Sequence, residues 1–300
     1  MDRTKLLGSS EVAAALGLSR WKTALQLWGE KTGELPSADL SGNEAAEWGT
    51  RLEDVVAKKF AEKNSCKLIA YKKRFSHKTH PWLSCELDRI ISGTDELVEV
   101  KTCSTYKLKE WSEADSIPQE YIIQVMVALG LSGRKVGHIA VLVGGQKYLE
   151  KKITFDQEMY DGIVAKCCDF WYNYVEKKVP PMTVGADNEI MVDLYPGNRT
   201  DEMVQATEET NDSIALLQET KGHIDELVKQ KDDLEARLKA IIGDKSGLIT
   251  DKYKVTWKSQ GGAPRYLSEA MKADGVFDKY AEPTTKRVLR VALKKEGKNE

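Results

Sequence analysis

Glu99 and Lys101 stand two residues apart in Glu96-Leu-Val-Glu-Val-Lys101, and Asp88 lies in the preceding segment Leu83-Ser-Cys-Glu-Leu-Asp-Arg-Ile-Ile91. Both segments alternate as half-buried strands do, so Glu99 and Lys101 share one face while Val98 and Val100 take the other. Between the segments, Gly93 sits where a type II′ hairpin takes a glycine. If Gly93 and Thr94 form the tip, facing residues have numbers that add up to 187. Asp88 then lies opposite Glu99, and Glu86 opposite Lys101. Directly opposed side chains have Cβ atoms roughly 5 Å apart. Two carboxylates that close repel unless a cation lies between them. Hard divalent ions such as Mg2+, with Mn2+ expected to substitute, take a few carboxylates plus water and phosphate oxygens. The pattern describes a magnesium site with an ammonium group beside it.

Two helices are expected to complete it. In the segment from Gly42 to Lys63, helical spacing puts Gly49, Glu53, Val56 and Phe60 on one face, with Glu53 the acid on an apolar stripe. Arg51, Asp54 and Lys58 point elsewhere. A buried unpaired carboxylate is costly, and facing the same cation relieves the cost. After Pro118, a buried helix reaches Leu131 with Tyr121, Gln124 and Ala128 on one face, and Gln124 needs a partner inside the fold. Each piece alone has a plainer reading: a solvated Glu-x-Lys face, an edge-strand Asp, a misjudged helix phase, a satisfied core amide. Their order within one domain (helix Glu, strand Asp, strand Glu-x-Lys, helix Gln) makes coincidence the poorer explanation.

The elements around these residues mix helices and strands: short helices near Ser9–Gly17 and Ser19–Trp28, and strands at 68–71, 73–76, 83–91, 97–102 and 136–143. That is an α/β fold of mixed α+β character, with a central mixed sheet flanked by helices. The 300 residues suffice for about two domains. Residues 1–181 form the first, residues 182–206 a polar connector, and residues 207–300 a helical region with a short strand and a basic tail. In the last, Leu217, Ile224, Lys231 and Leu238 repeat every seven residues beside Leu227, Leu234 and Ile241, a short coiled-coil-like pattern about 50 Å long. The tail from Lys286 carries six basic residues against two glutamates.

Lys and Arg number 45 against 47 Asp and Glu, a formal charge of -2. That excludes coating nucleic acid by bulk charge but allows a local basic groove. No apolar run approaches the roughly 20 residues of a membrane helix, and the five irregularly spaced cysteines fit reduced thiols. A cytoplasmic protein without membrane partners is expected.

Several motifs carry a resemblance: Gly8-Ser9-Ser10-Glu11, Glu47-Trp48-Gly49-Thr50-Arg51-Leu52-Glu53, His80-Pro81-Trp82, Val98-Glu99-Val100-Lys101 and Tyr121-Ile-Ile-Gln124. Over residues 6–180 the chain resembles the PD-(D/E)xK nuclease superfamily with its restriction-endonuclease-like core, and within it the lambda exonuclease and YqaJ-type viral recombinase families. One departure stands out: where members often have Ser-x-Asp-Gly, this chain has Glu86-Leu87-Asp88-Arg89, which should alter packing beside the site. The resemblance implies a 5′-to-3′ exonuclease acting on double-stranded DNA ends in a bacterial or phage-infected cytoplasm. It also implies a ring-shaped homo-oligomer, commonly a trimer, and a single-strand annealing protein as partner in phage-type recombination.

On that resemblance, hydrolysis would be assisted by two metal ions. Asp88, Glu99 and the Val100 carbonyl would hold them, with Glu53 binding directly or through water. Lys101 would orient and help deprotonate the attacking water, and Gln124 would support the site. Ser10 and Arg20 are candidates for a terminal 5′-phosphate. Arg51, Lys72, Lys73, Arg74, Lys107 and Lys109 are candidates for the DNA backbone, with Tyr106 or Trp111 nearby, while Trp21, Trp28 and Trp48 read as core. An iron–sulfur cluster is not expected, because no tight C-terminal cysteine group follows Cys167-Cys168. Two other readings remain: a structure-specific endonuclease of the same superfamily, and a non-catalytic DNA-binding coiled-coil assembly protein. The long helix could self-associate, dock a partner or fold back.

Overall fold

The computed structural model describes residues 3–37, 41–112, 116–197, 202–258 and 268–276. Two compact units divide the chain, Met1–Pro196 and Gly197–Glu300. In the first, β1 (Leu7–Gly8) leads into α1 (Val12–Ala15) and α2 (Ala24–Thr32), then α3 (Glu44–Lys63), β2 (Leu68–Ser76), β3 (Leu83–Ile91) and β4 (Glu96–Cys103). There follow α4 (Leu108–Ser112), α5 (Gln119–Ser132), β5 (Val136–Val143), β6 (Lys147–Thr154), α6 (Gln157–Asp169) and α7 (Asn188–Leu194). Local chemistry fixes the helix ends. The Asn43 side chain accepts the Ala46 N–H at the start of α3, and Gly133 ends α5 at a φ of 72°.

The six strands form one mixed sheet. β2 and β4 run antiparallel to β3, β1 and β3 are parallel, β4 and β5 are parallel, and β6 closes the far edge antiparallel to β5. Each face is covered. Leu87, Leu97, Ile139 and Val141 join residues of α1, α2, α5 and α6 in one cluster. Val98, Val100 and Ala140 meet Val56, Ala57 and Phe60 of α3 in another. Burying both faces explains why β5 reads as a nearly continuous apolar run. Among the described residues, no helix is long and apolar enough to cross a membrane.

Three expectations are corrected here. The hairpin between β3 and β4 has a four-residue connection rather than a two-residue tip. Thr94 donates its N–H to the Ile91 carbonyl at 3.3 Å, which makes Gly93 the third residue of the turn, with a φ of 80°. The two short strands at 68–71 and 73–76 are one strand, β2, in which Lys72, Lys73 and Arg74 bulge opposite the single residue Glu86. Trp21 and Trp48 are 68% and 57% exposed rather than core, whereas Trp111, a candidate at the DNA surface, is buried.

In the second unit, α8 (Glu208–Ile242) is capped by the Thr207 side chain accepting the Thr210 N–H. Ile224, Leu227, Leu234, Leu238 and Ile241 are exposed along it, and Lys231 pairs with Asp232 and Glu235. A small hairpin follows, β7 (Gly247–Ile249) with β8 (Lys254–Thr256). The basic tail from Lys286 lies outside the described residues.

Candidate active site

The site forms where β3 and β4 part. Arg89 pairs with Val98 and Ile90 with Leu97, the register the sequence predicts, but the ladder stops before Asp88 and Glu99. Two features account for this. Opposite β2, Ala70 pairs with Arg89 and Tyr71 with Leu87, so Asp88 is an extra residue, a β-bulge. In addition, β1 pairs with β3 at Leu83 and Ser84. Ser84 and Arg89 both use their other edge for β2, so β1 and β4 share one edge of β3, with Cys85 to Asp88 between them. The bulge turns the Asp88 side chain across the opening, and its Oδ2 accepts the Val100 N–H at 2.9 Å. A regular ladder would have given that donor a backbone partner.

Glu99 is buried at 4% exposure and faces α5. Its Oε1 accepts from Gln124 Nε2 at 2.5 Å and meets Lys101 Nζ at 2.7 Å. Lys101 Nζ also lies 5.2 Å from the centre of the Tyr121 ring. The shared face of Tyr121 and Gln124 thus holds both ends of the Glu-x-Lys pair. Glu53 sits one turn before Val56 and Ala57, where the apolar stripe of α3 reaches the opening. Glu53, Asp88, Glu99, Val100, Lys101 and Gln124 line a single cleft of about 370 Å³. A second cleft, of about 190 Å³, shares Asp88, Glu99 and Gln124 and continues past Ser10, Arg74 and Glu86.

Electrostatics follow from this burial. Loss of solvent, then the charge of Glu99, lifts the Asp88 carboxyl from 3.8 to about 7, against the Val100 hydrogen bond and Lys101, which favour its ionised form. For Lys101, burial pulls downward, but Glu99 and then Asp88 raise the ammonium above its ordinary value. That pairing favours the ammonium form, a positive charge suited to orienting a nucleophile and meeting negative charge. Cys85 is pushed up to about 12, chiefly by burial, so no thiolate competes as nucleophile.

A divalent cation fits the Asp88–Glu99 pair, because the donors are oxygens and a positive charge there removes the repulsion that raises Asp88. Glu53 is placed differently from expectation. Arg89 Nη1 donates to Glu53 Oε1 at 2.7 Å and to its neighbour's carbonyl, that of Asp88, at 2.5 Å, while Nη2 meets Asp54. Among the described residues, no three His, Cys, Asp or Glu side chains gather closely enough to hold an ion together. Glu53 lines the cleft, but it is engaged by a guanidinium. In the sequence Arg89 stands out only as a departure from the family pattern, with no partner evident. Helical spacing turns Asp54 away from the stripe that carries Glu53, yet Asp54 is one of Arg89's acceptors.

The remaining candidates are scattered. Ser10 is exposed on the smaller cleft. Arg20 is held by Glu110 at 2.7 Å and Glu120 at 2.8 Å, in a neighbouring cleft with Trp21, Lys107 and Tyr121. Arg51 pairs with Glu47 at 2.7 Å and lies 5.9 Å from the centre of the Trp48 ring. Arg74 pairs with Glu86 at 2.6 Å, and Glu86 does not pair with Lys101 as expected, because the β3–β4 ladder ends before it. Lys107 pairs with Glu110 at 3.1 Å, whereas Lys73, Tyr106 and Lys109 are exposed. The Lys72 side chain lies outside the described residues.

Comparison with known proteins covers the same region. A family model for the YqaJ-like viral recombinase domain matches residues 1–135, which hold all six cleft residues named above. The uncharacterized protein YqaJ of Bacillus subtilis (strain 168) is 34% identical over 262 residues, covering 86% of this chain and 82% of that protein. Among solved structures, an alkaline exonuclease from Laribacter hongkongensis superposes with a TM-score of 0.50 at 18% identity, over 59% of this chain and 91% of that one. The same enzyme in complex with dAMP gives the same values. At that identity the likeness is one of fold.

Proposed function

The chain belongs to the YqaJ-like viral recombinase family, and from that premise we propose that it is a divalent-metal-dependent deoxyribonuclease degrading double-stranded DNA from its ends in the 5′-to-3′ direction. The product would be a single strand for an annealing protein in phage-type recombination. Its fold, a mixed sheet between helices, is that of PD-(D/E)xK exonucleases. The observation that carries the reading is the parting of β3 and β4, which puts Asp88, Glu99 and Lys101 on one cleft with Glu53 and Gln124.

Asp88, Glu99 and the Val100 carbonyl would hold Mg2+ or Mn2+, whose chemistry is to polarise the phosphate and acidify water. Gln124 fixes the Glu99 carboxylate by donating to it. Tyr121 and Glu99 hold the Lys101 ammonium at the rim, where it orients the nucleophile and stabilises charge on the phosphate. Ser10 and Arg74 on the adjoining cleft would meet the strand leaving the site. A ring-shaped homo-oligomer, expected to be a trimer, would keep the enzyme on its duplex.

The test is digestion of linear duplex labelled on either strand, with and without a 5′-phosphate, beside a nicked and a closed circle. Loss of label from 5′ ends, dependent on Mg2+, is expected. Cuts within closed circles would point instead to a structure-specific endonuclease. Binding without cleavage would leave only a DNA-binding assembly protein.

A further inference from the structure

Arg89 is a cation built into the acidic site. Its side chain is only 12% exposed, and both Nη atoms of its fork are engaged: Nη1 by Glu53 and the Asp88 carbonyl, Nη2 by Asp54. Glu53 and Asp54 are successive residues of α3, so the planar guanidinium bridges two carboxylates of one helix to the bulge of β3. A lysine, with a single point of charge, does not span that arrangement. Being part of the chain, the guanidinium competes for Glu53 at a high effective concentration, which an ion from solution at millimolar levels does not match.

Pairing leads to the same result. Arg89 meets the charge of Glu53 and Lys101 that of Glu99, while Asp54, the other acceptor of Arg89, is 76% exposed and outside the lining of the cleft. Without Arg89, Glu53 would be released as a ligand on the cleft.

We propose that Arg89 takes the place of a second metal ion, so that the site binds one divalent ion, between Asp88 and Glu99, instead of the two expected from the resemblance. Arg89 is thereby a positioning residue that sets metal stoichiometry. Glu53 serves to hold Arg89 and not the ion. This inference rests on the nuclease reading above, and the test separates the two.

Mn2+ is titrated into the full chain without DNA, with calorimetry counting bound ions and electron paramagnetic resonance measuring free Mn2+. The wild type is expected to bind one ion per chain and Asp88→Asn none. Glu53→Gln should keep one ion, with affinity lowered less than tenfold. Arg89→Gln should bind a second, weaker ion, which the double variant Arg89→Gln/Glu53→Gln loses again. Two ions on the wild type, or a tenfold or greater loss of affinity in Glu53→Gln, would overturn the assignment while leaving the nuclease reading in place. A wild-type chain that binds no Mn2+ would overturn both. The wild-type count and the Glu53→Gln affinity decide the matter even if Arg89→Gln does not fold.

Discussion

Replacing Asp88 with Asn is expected to destroy the proposed activity and to make the protein more stable. Burial, then Glu99, raises the Asp88 carboxyl from 3.8 to about 7. At 1.36 kcal/mol for each unit, holding Asp88 ionised in the fold costs about 4 kcal/mol relative to the unfolded chain. An asparagine amide keeps an oxygen to accept the Val100 N–H, carries no charge, and has a burial cost of its own of roughly 1–2 kcal/mol. The net gain is about 2–3 kcal/mol, or roughly 5–10 °C in Tm for a unit of this size.

The pH dependence follows from the sign of the shift. Between pH 3.8 and about 7 the folded protein binds more protons at Asp88 than the unfolded chain does. Wild-type stability therefore falls as pH rises through that window and levels off above it. Asp88→Asn lacks this decline, so its advantage should be complete at pH 8 and turn into a deficit of roughly 1–2 kcal/mol near pH 4, where only the burial cost of the amide remains. Thermal unfolding by circular dichroism, with a chelator present, measures both ends. Adding Mg2+ at pH 8 should raise the wild-type Tm and leave the variant unchanged. A variant no more stable than wild type at pH 8, or one whose advantage persists at pH 4, would refute the reasoning.

Lys101→Ala should abolish cleavage, by at least a thousandfold, while a gel-shift assay finds duplex binding within about threefold of wild type; undiminished cleavage would remove Lys101 from the site. Gln124→Ala leaves Glu99 without its amide donor and should weaken Mn2+ binding 10- to 100-fold, as loss of a ligand's supporting hydrogen bond does, with calorimetry as the measure. A methyl group on Gly130 would come within 2.2 Å of the Tyr160 ring. Gly130→Ala should thus cost roughly 1–3 kcal/mol in urea unfolding, through overpacking between α5 and α6, without changing metal affinity.

Register was legible because period-two alternation fixes which residues of β3 and β4 face each other, whatever the form of the turn. The four-residue connection beginning at Ser92 gives the same pairing as a two-residue tip would. The bulge at Asp88 was not legible: it arises from mismatch with β2, a strand whose own irregularity at Lys72 to Arg74 comes from pairing rather than composition. Strand β6 escaped notice because Lys147, Glu150, Lys151 and Lys152 give it the charged sequence of a sheet edge. Two-residue β1 is too short to carry a pattern. Trp21 and Trp48 were assigned to the core by residue type, yet each lies near a cation outside it, Lys107 and Arg51 respectively, 5.9 Å from the ring centre. Arg89 was visible only as an unusual residue, because its partners lie 35 and 36 residues away on a helix.

These features belong to one device. A regular β3–β4 hairpin would satisfy every backbone group along β4 and leave Asp88 and Glu99 as opposed side chains on a closed sheet. With the bulge and β1 holding the strands apart, the edge of Val100 turned toward β3 leaves the ladder. Its N–H goes to Asp88, and because the N–H and C=O of one residue point to the same edge, its carbonyl faces the opening as well. The same bulge turns the next residue, Arg89, toward α3 instead of α5, where it finds Glu53 and Asp54. One extra residue in β3 thus aims an acid at the cleft, turns the carbonyl proposed as a ligand toward it, and places a guanidinium on the helix acid. The proposed single-ion stoichiometry and the destabilising charge of Asp88 would both follow from that insertion, and they should be lost together in any variant that restores a regular β3 ladder.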